Sequence, residues 1–133
     1  MEHVEVRHEG GDRYRIRIRG HDLVVDQPDT GDAGPTPTEL FVASLASCVG
    51  FYAGRFCARH GIDPAGLAVE TDWVFAEDRP ARVARIDVRL VLPLGFPDDK
   101  RERMHAVVDH CTVHNSIAQA PEIAIELQTP APV

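Results

Sequence analysis

Polar and apolar residues alternate without a slip from Arg13 to Arg19. In a strand this places Tyr14, Ile16 and Ile18 on one face and four arginines on the other. Gly10-Gly11 before this run and Gly20 after it are turn signals. Residues 3–9 and 22–26 are therefore predicted as the flanking strands of a three-stranded meander. Residues 26–34, with Pro28, Gly31 and Gly34, read as a loop.

Thr36-Pro37-Thr38-Glu39 changes the period. Thr36 can cap a helix, Pro37 suits its first position, and Glu39 can return the hydrogen bond of a capping box. The helix is predicted to run to about His60, where Gly61 followed by apolar Ile62 suits a left-handed stop. One stripe of it carries Phe41, Leu45, Cys48, Val49, Tyr52 and Phe56; a second is small, with Ala43, Ala46, Ser47, Gly50 and Gly54. Two glycines inside a helix cost about 1 kcal/mol each relative to alanine. A buried central helix with another backbone close by is therefore expected. Residues 67–76 and 83–92 alternate again and predict two strands, joined by the charged turn around Asp78-Arg79-Pro80. From Asp98 a second helix is predicted, with Met104, Val107, Val108 and Cys111 at helical spacing. Ile123 to Leu127 reads as a last strand and Thr129 to Val133 as a tail. The order β-β-β-α-β-β-α-β is an α+β fold with antiparallel sheets, in a single domain over residues 1–133.

Composition narrows the functional classes. A chain of 133 residues, 44% hydrophobic and 26% charged, can build a core without staples. The net charge of −7 gives no general attraction to phosphate backbones or anionic lipid, so neither nucleic acid nor membrane is an expected partner. The longest uncharged run, Leu40 to Gly54, falls short of the roughly 20 residues of a membrane span. The charged start Met1 to Arg7 does not suit a signal peptide. Three cysteines imply no closed disulfide framework, and a reduced, cytoplasmic setting is expected. No Gly-x-Ser-x-Gly, phosphate loop or dinucleotide fingerprint occurs.

Chemistry concentrates at Cys48 and Cys111. Free cysteines commonly pack as small hydrophobes, and that reading stands beside a functional one. Cys57, nine residues beyond Cys48 and hence on the opposite helix face, is read as packing. His105, His110, Cys111 and His114 lie within ten residues, and His110 and His114 are one helical turn apart, a spacing that could hold Zn²⁺. No clear fourth ligand accompanies them, and no metal is expected. These histidines could instead tune the ionisation of Cys111.

Gly34-Pro35-Thr36-Pro37-Thr38-Glu39-Leu40-Phe41, followed by Ala43-Ser44-Leu45-Ala46-Ser47-Cys48, resembles the first cysteine segment of the OsmC/Ohr family, the osmotically inducible and organic hydroperoxide resistance proteins. His110-Cys111-Thr112-Val113-His114-Asn115-Ser116-Ile117 resembles the second, with Thr112 where the family usually has proline. The resemblance implies an intertwined homodimer with two central helices and a thiol-dependent peroxidase without a bound cofactor. By it, Cys48 attacks the hydroperoxide and becomes a sulfenic acid, Cys111 resolves it as a disulfide, and an external dithiol reduces the pair. It also implies an activating arginine from the N-terminal strands, with Arg13 first among Arg13, Arg15, Arg17 and Arg19, and an orienting carboxylate, for which Glu39 is the only candidate. The family acid falls at the position of Thr38, one residue earlier. Nine helical residues, about 13 Å along the axis and on the opposite face, would separate Glu39 from Cys48. An apolar pocket lined from Leu45 and Tyr52 would favour alkyl hydroperoxides over hydrogen peroxide. A dimeric binding or stress protein that keeps the fold without peroxide turnover is the alternative.

Overall fold

The computed structural model describes residues 1–131; Pro132 and Val133 of the expected tail lie outside the described residues. The predicted meander forms from β1 (Glu5–Gly10), β2 (Arg13–Ile18) and β3 (His21–Val25). Both pairings are antiparallel, with Val6 opposite Ile16 and Ile16 opposite Leu23. Because the side-chain period is two, this register puts Val6, Tyr14, Ile16, Ile18, Leu23 and Val25 on one face. Glu5, Arg7, Arg15, Arg17 and Asp22 share the other. The 26–35 loop folds back on β3: the Asp26 amide donates to the Pro35 carbonyl at 3.1 Å. A Cβ on Gly34 would stand 2.1 Å from the Val24 carbonyl oxygen, so only glycine fits there.

Helix α1 spans Pro37–Arg59 with the capping box its sequence announces. Thr36 Oγ1 accepts from the Glu39 amide at 3.1 Å, and Glu39 Oε1 accepts from the Thr36 amide at 2.8 Å. At the far end Gly61, with φ +62°, stops the helix. The Ile62 amide reaches back to the Cys57 carbonyl at 2.9 Å, and that of Gly61 to Ala58 at 3.4 Å.

β4 (Ala68–Phe75) and β5 (Val83–Val91) form a separate antiparallel pair against which α1 packs. Together with the segment after Asp98 they enclose the core: Leu45, Val49, Ala53, Phe56 and Cys57 of α1 against Met104, Val108 and Cys111. α1 is long and apolar enough by length and composition to cross a membrane, but it packs here as a core helix.

Four expectations change. The second helix is not continuous. A 3₁₀ turn at Asp98–Lys100 leads into α2 (Arg101–Val108), the chain turns through Asp109 to Cys111, and α3 (Thr112–Ala118) follows. Cys111, at φ −67° and ψ 155°, is extended and caps α3. Helical spacing of apolar residues up to Cys111 does not require helical backbone there, because an N-cap residue points its side chain at the same core.

The last strand does not form either. Residues 119–131 carry no strand, and Ile123, Ile125 and Leu127 are 77%, 88% and 95% exposed. A strand needs a neighbour for its backbone donors and acceptors, and among the described residues no strand pairs with this segment. α1 is buried on one face only, with Phe41 and Phe51 exposed. Among the described residues no backbone comes close to its two glycines: a Cβ on Gly54 would meet nothing within 4 Å, and one on Gly50 only Val69 Cγ2 at 3.5 Å.

Candidate active site

Cys48 lies at mid-helix in α1, half-buried beside the core; Cys111 lies at the start of α3, fully buried. Both thiols are free, and the fold brings them near one another: the Cys48 side chain is close enough to raise the pKa of Cys111. Burial is the main reason the Cys111 thiol is pushed above its ordinary range. The His114 amide, which donates to Cys111 Sγ at 3.4 Å, pulls it back, and the neighbouring Cys48 raises it again. A smaller pull downward comes from the Val113 amide. Cys111 therefore holds its proton strongly.

The break between α2 and α3 sets the position of Cys111. Asn115 Nδ2 donates to the His110 carbonyl at 3.1 Å and closes the turn, while the Ser116 hydroxyl donates to the Thr112 carbonyl at 2.8 Å. A further bond ties the turn to α1: Tyr52 Oη and Thr112 Oγ1 are 2.7 Å apart. Tyr52 stands one turn beyond Cys48, and Thr112 directly follows Cys111. The sequence places Tyr52 on an apolar stripe, and only the fold identifies its hydroxyl's partner. The readable signal was a hydroxyl residue after the second cysteine and a tyrosine four residues after the first.

The other expected residues lie elsewhere. Glu39 remains in the capping box, and the unbroken helix keeps it about 13 Å along the axis from Cys48. Arg13 is on β2, 3.8 Å from Glu9. Arg15 is held by the same carboxylate at 2.7 Å, and Arg17 by Asp22 at 3.1 Å. The meander scarcely touches α1, so Arg13 does not join the two cysteines within one chain. Cys57 is wholly buried, and burial pushes its thiol up, as the packing reading requires. The turn at Cys111 also removes the helical relation between His110 and His114. His114 Nδ1 lies 3.9 Å from Asp109 Oδ1, and among the described residues no cluster of potential ligands is arranged to hold a metal.

Next to the thiols an apolar groove of about 600 Å³ opens between α1, β5, α2 and α3. Leu45 and Val49 line one wall, Ile86 and Val88 another, and His105 and His114 stand among its polar groups. Neither cysteine lines it. Nor does Tyr52, contrary to expectation, because its ring is directed to Thr112.

A sequence profile described as OsmC-like protein matches residues 29–126. Curated proteins yield no significant sequence match. Among solved structures, a protein from Psychrobacter arcticus 273-4, provisionally described as an osmotic stress induced and detoxification response protein, is 26% identical. It superposes with a TM-score of 0.79 over 87% of this chain and 88% of its own. An OsmC-like protein from Mycoplasma pneumoniae is similar at 13% identity and a TM-score of 0.78, over 90% of this chain and 89% of its own. The organic hydroperoxide resistance protein OhrB of Bacillus subtilis follows at 16% identity and a TM-score of 0.65, over 90% of this chain and 92% of its own. At these last two identities the likeness is one of fold.

Proposed function

The chain belongs to the OsmC-like protein family, and on that premise we propose that it is a thiol-dependent peroxidase that reduces organic hydroperoxides. The observation that carries the reading is the proximity of two free thiols from separate helices, one half-buried and one fully buried. A peroxide enters from the accessible side of Cys48. The Cys48 thiolate attacks the terminal peroxide oxygen, the O–O bond breaks, and the alkoxide leaves as alcohol after taking a proton. Cys48 is now a neutral sulfenic acid. Its negative charge no longer opposes ionisation of Cys111, while the amides of His114 and Val113 still favour the Cys111 thiolate. Cys111 then attacks the sulfenic sulfur, and hydroxide departs as water. An external dithiol returns both cysteines to thiols and is itself oxidised to a disulfide.

The substrate class is proposed from the groove and from the likeness to OhrB. An alkyl tail buried in apolar surroundings gains about 0.8 kcal/mol per methylene, roughly fourfold in kcat/KM. The rate with organic hydroperoxides is then expected to exceed that with hydrogen peroxide; equal rates would remove the groove from the argument.

Activation of Cys48 by an arginine calls for a second copy, because Arg13 does not reach α1 in its own chain. The exposed apolar face of the meander, the open glycine stripe and the unpaired 123–127 segment support a homodimer. A reducing cytoplasm suits three free thiols. The test is thiol loss and intact mass after one equivalent of cumene hydroperoxide. Wild type loses two thiols and two hydrogens, Cys111→Ser traps an oxidised sulfur, and Cys48→Ser stays inert. Retention of all three thiols would reject the peroxidase in favour of a binding protein.

A further inference from the structure

The Tyr52–Thr112 bond has no part in peroxide attack as described, yet it spans the two segments whose spacing resolution depends on. Disulfide formation requires Cα atoms roughly 4.4–6.8 Å apart and sulfurs brought into bonding contact. Cys48 is fixed by α1, which runs unbroken for 23 residues. Cys111 sits in the core at the turn between two helices of 8 and 7 residues, so its place depends on what fixes that turn against α1. The 2.7 Å contact of Tyr52 Oη with Thr112 Oγ1 ties α1 to that segment by a side-chain hydrogen bond that does not involve the thiols. Both anchors adjoin the chemistry: Tyr52 lies one turn from Cys48 on the same side of the helix, and Thr112 is bonded directly to Cys111.

We propose that Tyr52 and Thr112 are positioning residues that hold Cys111 within reach of oxidised Cys48 and thereby set how often the sulfenic acid is resolved rather than over-oxidised. This rests on the peroxidase reading above. A sulfenic acid has two fates in the presence of hydroperoxide. Attack by the Cys111 thiolate forms the S–S bond and releases water; attack on a second hydroperoxide forms a sulfinic acid and releases alcohol. The first fate is intramolecular and depends on where Cys111 is held. The second depends only on peroxide concentration. Loosening the turn therefore shifts the partition without any new chemistry.

The experiment compares wild type, Tyr52→Phe, Thr112→Val, the double variant and Thr112→Ser in a series of cumene hydroperoxide concentrations. Intact mass then gives the share of chains that carry two added oxygens and the share that have lost two hydrogens. Either single variant is expected to raise the over-oxidised share about fivefold at a given peroxide concentration, as the loss of one hydrogen bond's worth of ordering would. The double variant is expected to add nothing further, and Thr112→Ser to restore the wild-type share. A general loss of stability would lower the melting temperature of all variants without this non-additivity or the serine rescue. A wild-type partition in both Tyr52→Phe and Thr112→Val overturns the positioning role while leaving the peroxidase intact. Wild type that forms no disulfide overturns the peroxidase reading, and the positioning role with it.

Discussion

The meander of β1 to β3 and the body built on α1 both start from clear amphipathic patterns, but they reach different degrees of burial. In the body, Phe56 and Met104 are each 2% exposed and Ala53 is wholly enclosed. Phe56 also stacks on His60 at 4.2 Å and lies near Phe96 at 6.2 Å between ring centroids. In the meander, Val6 is 55% exposed, Leu23 43% and Tyr14 40%, although their alternation is the cleanest in the chain. An amphipathic pattern specifies an element and its apolar face; what covers that face is a separate matter. The body finds its cover within the chain, through α1, β4, β5 and the helices after Asp98. The meander finds cover only toward the end of β3, where Val25 is buried, and the proposed second copy is what would cover the rest.

The largest expected effect falls in the body. Phe56→Ala should cost about 3–5 kcal/mol, read by chemical denaturation, because a fully enclosed ring leaves a cavity. Leu23→Ala tests the other side. If a second copy covers the meander, the variant loses melting temperature by an amount that grows on dilution, since stability is then linked to association. A loss that is small and independent of concentration would mean that the meander stays open in solution.

The next effect is at the junction of the two regions, where α1 begins. Thr36→Ala removes the cap acceptor and should cost about 1 kcal/mol. Glu39→Gln keeps an acceptor for the Thr36 amide, so its stability should stay near wild type. A large fall in peroxidase rate in that variant would show that Glu39 acts on a partner's site beyond capping its own helix.

Asp26 gives a pH-dependent test of the same junction. Its carboxylate accepts from the Ala33 and Gln27 amides at 3.0 and 2.8 Å, which hold its pKa below the usual carboxylate range. A lowered folded-state pKa means that the stabilisation is complete above the unfolded value of about 4 and is lost as pH falls through the folded value. Asp26→Asn should flatten the acid limb of the stability profile and change little of its slope near neutrality. The smallest effect belongs to the outer face of the meander. There the Arg15–Glu9 pair, at 2.7 Å, is solvent-screened. Arg15→Ala should change stability by an amount close to experimental error and shrinking with salt.

Much of the fold was legible along the chain, because its signals are local. The Arg13–Ile18 alternation, the Thr36–Glu39 box and the Gly61-Ile62 stop each depend on a few neighbouring residues, and each formed where the pattern put it. The approach of Cys48 to Cys111 was implied by the family resemblance alone, since residues 63 apart in the chain carry no local signal of contact. Glu39 was ambiguous for a related reason: one carboxylate can serve a cap or a site, and only the continuity of α1 distinguishes them within a chain. The pattern left the backbone at Cys111 open, because a capping residue and a helical residue can both direct a side chain into the core. Ile123 to Leu127 alternates like a strand, yet alternation supplies no hydrogen-bonding neighbour. Local sequence thus determined the elements, their ends and their apolar faces, through backbone preferences and side-chain periodicity. Tertiary structure decided which faces were covered, which thiols came near one another and where the Tyr52 hydroxyl was spent, because those outcomes depend on distances between segments that no local preference encodes.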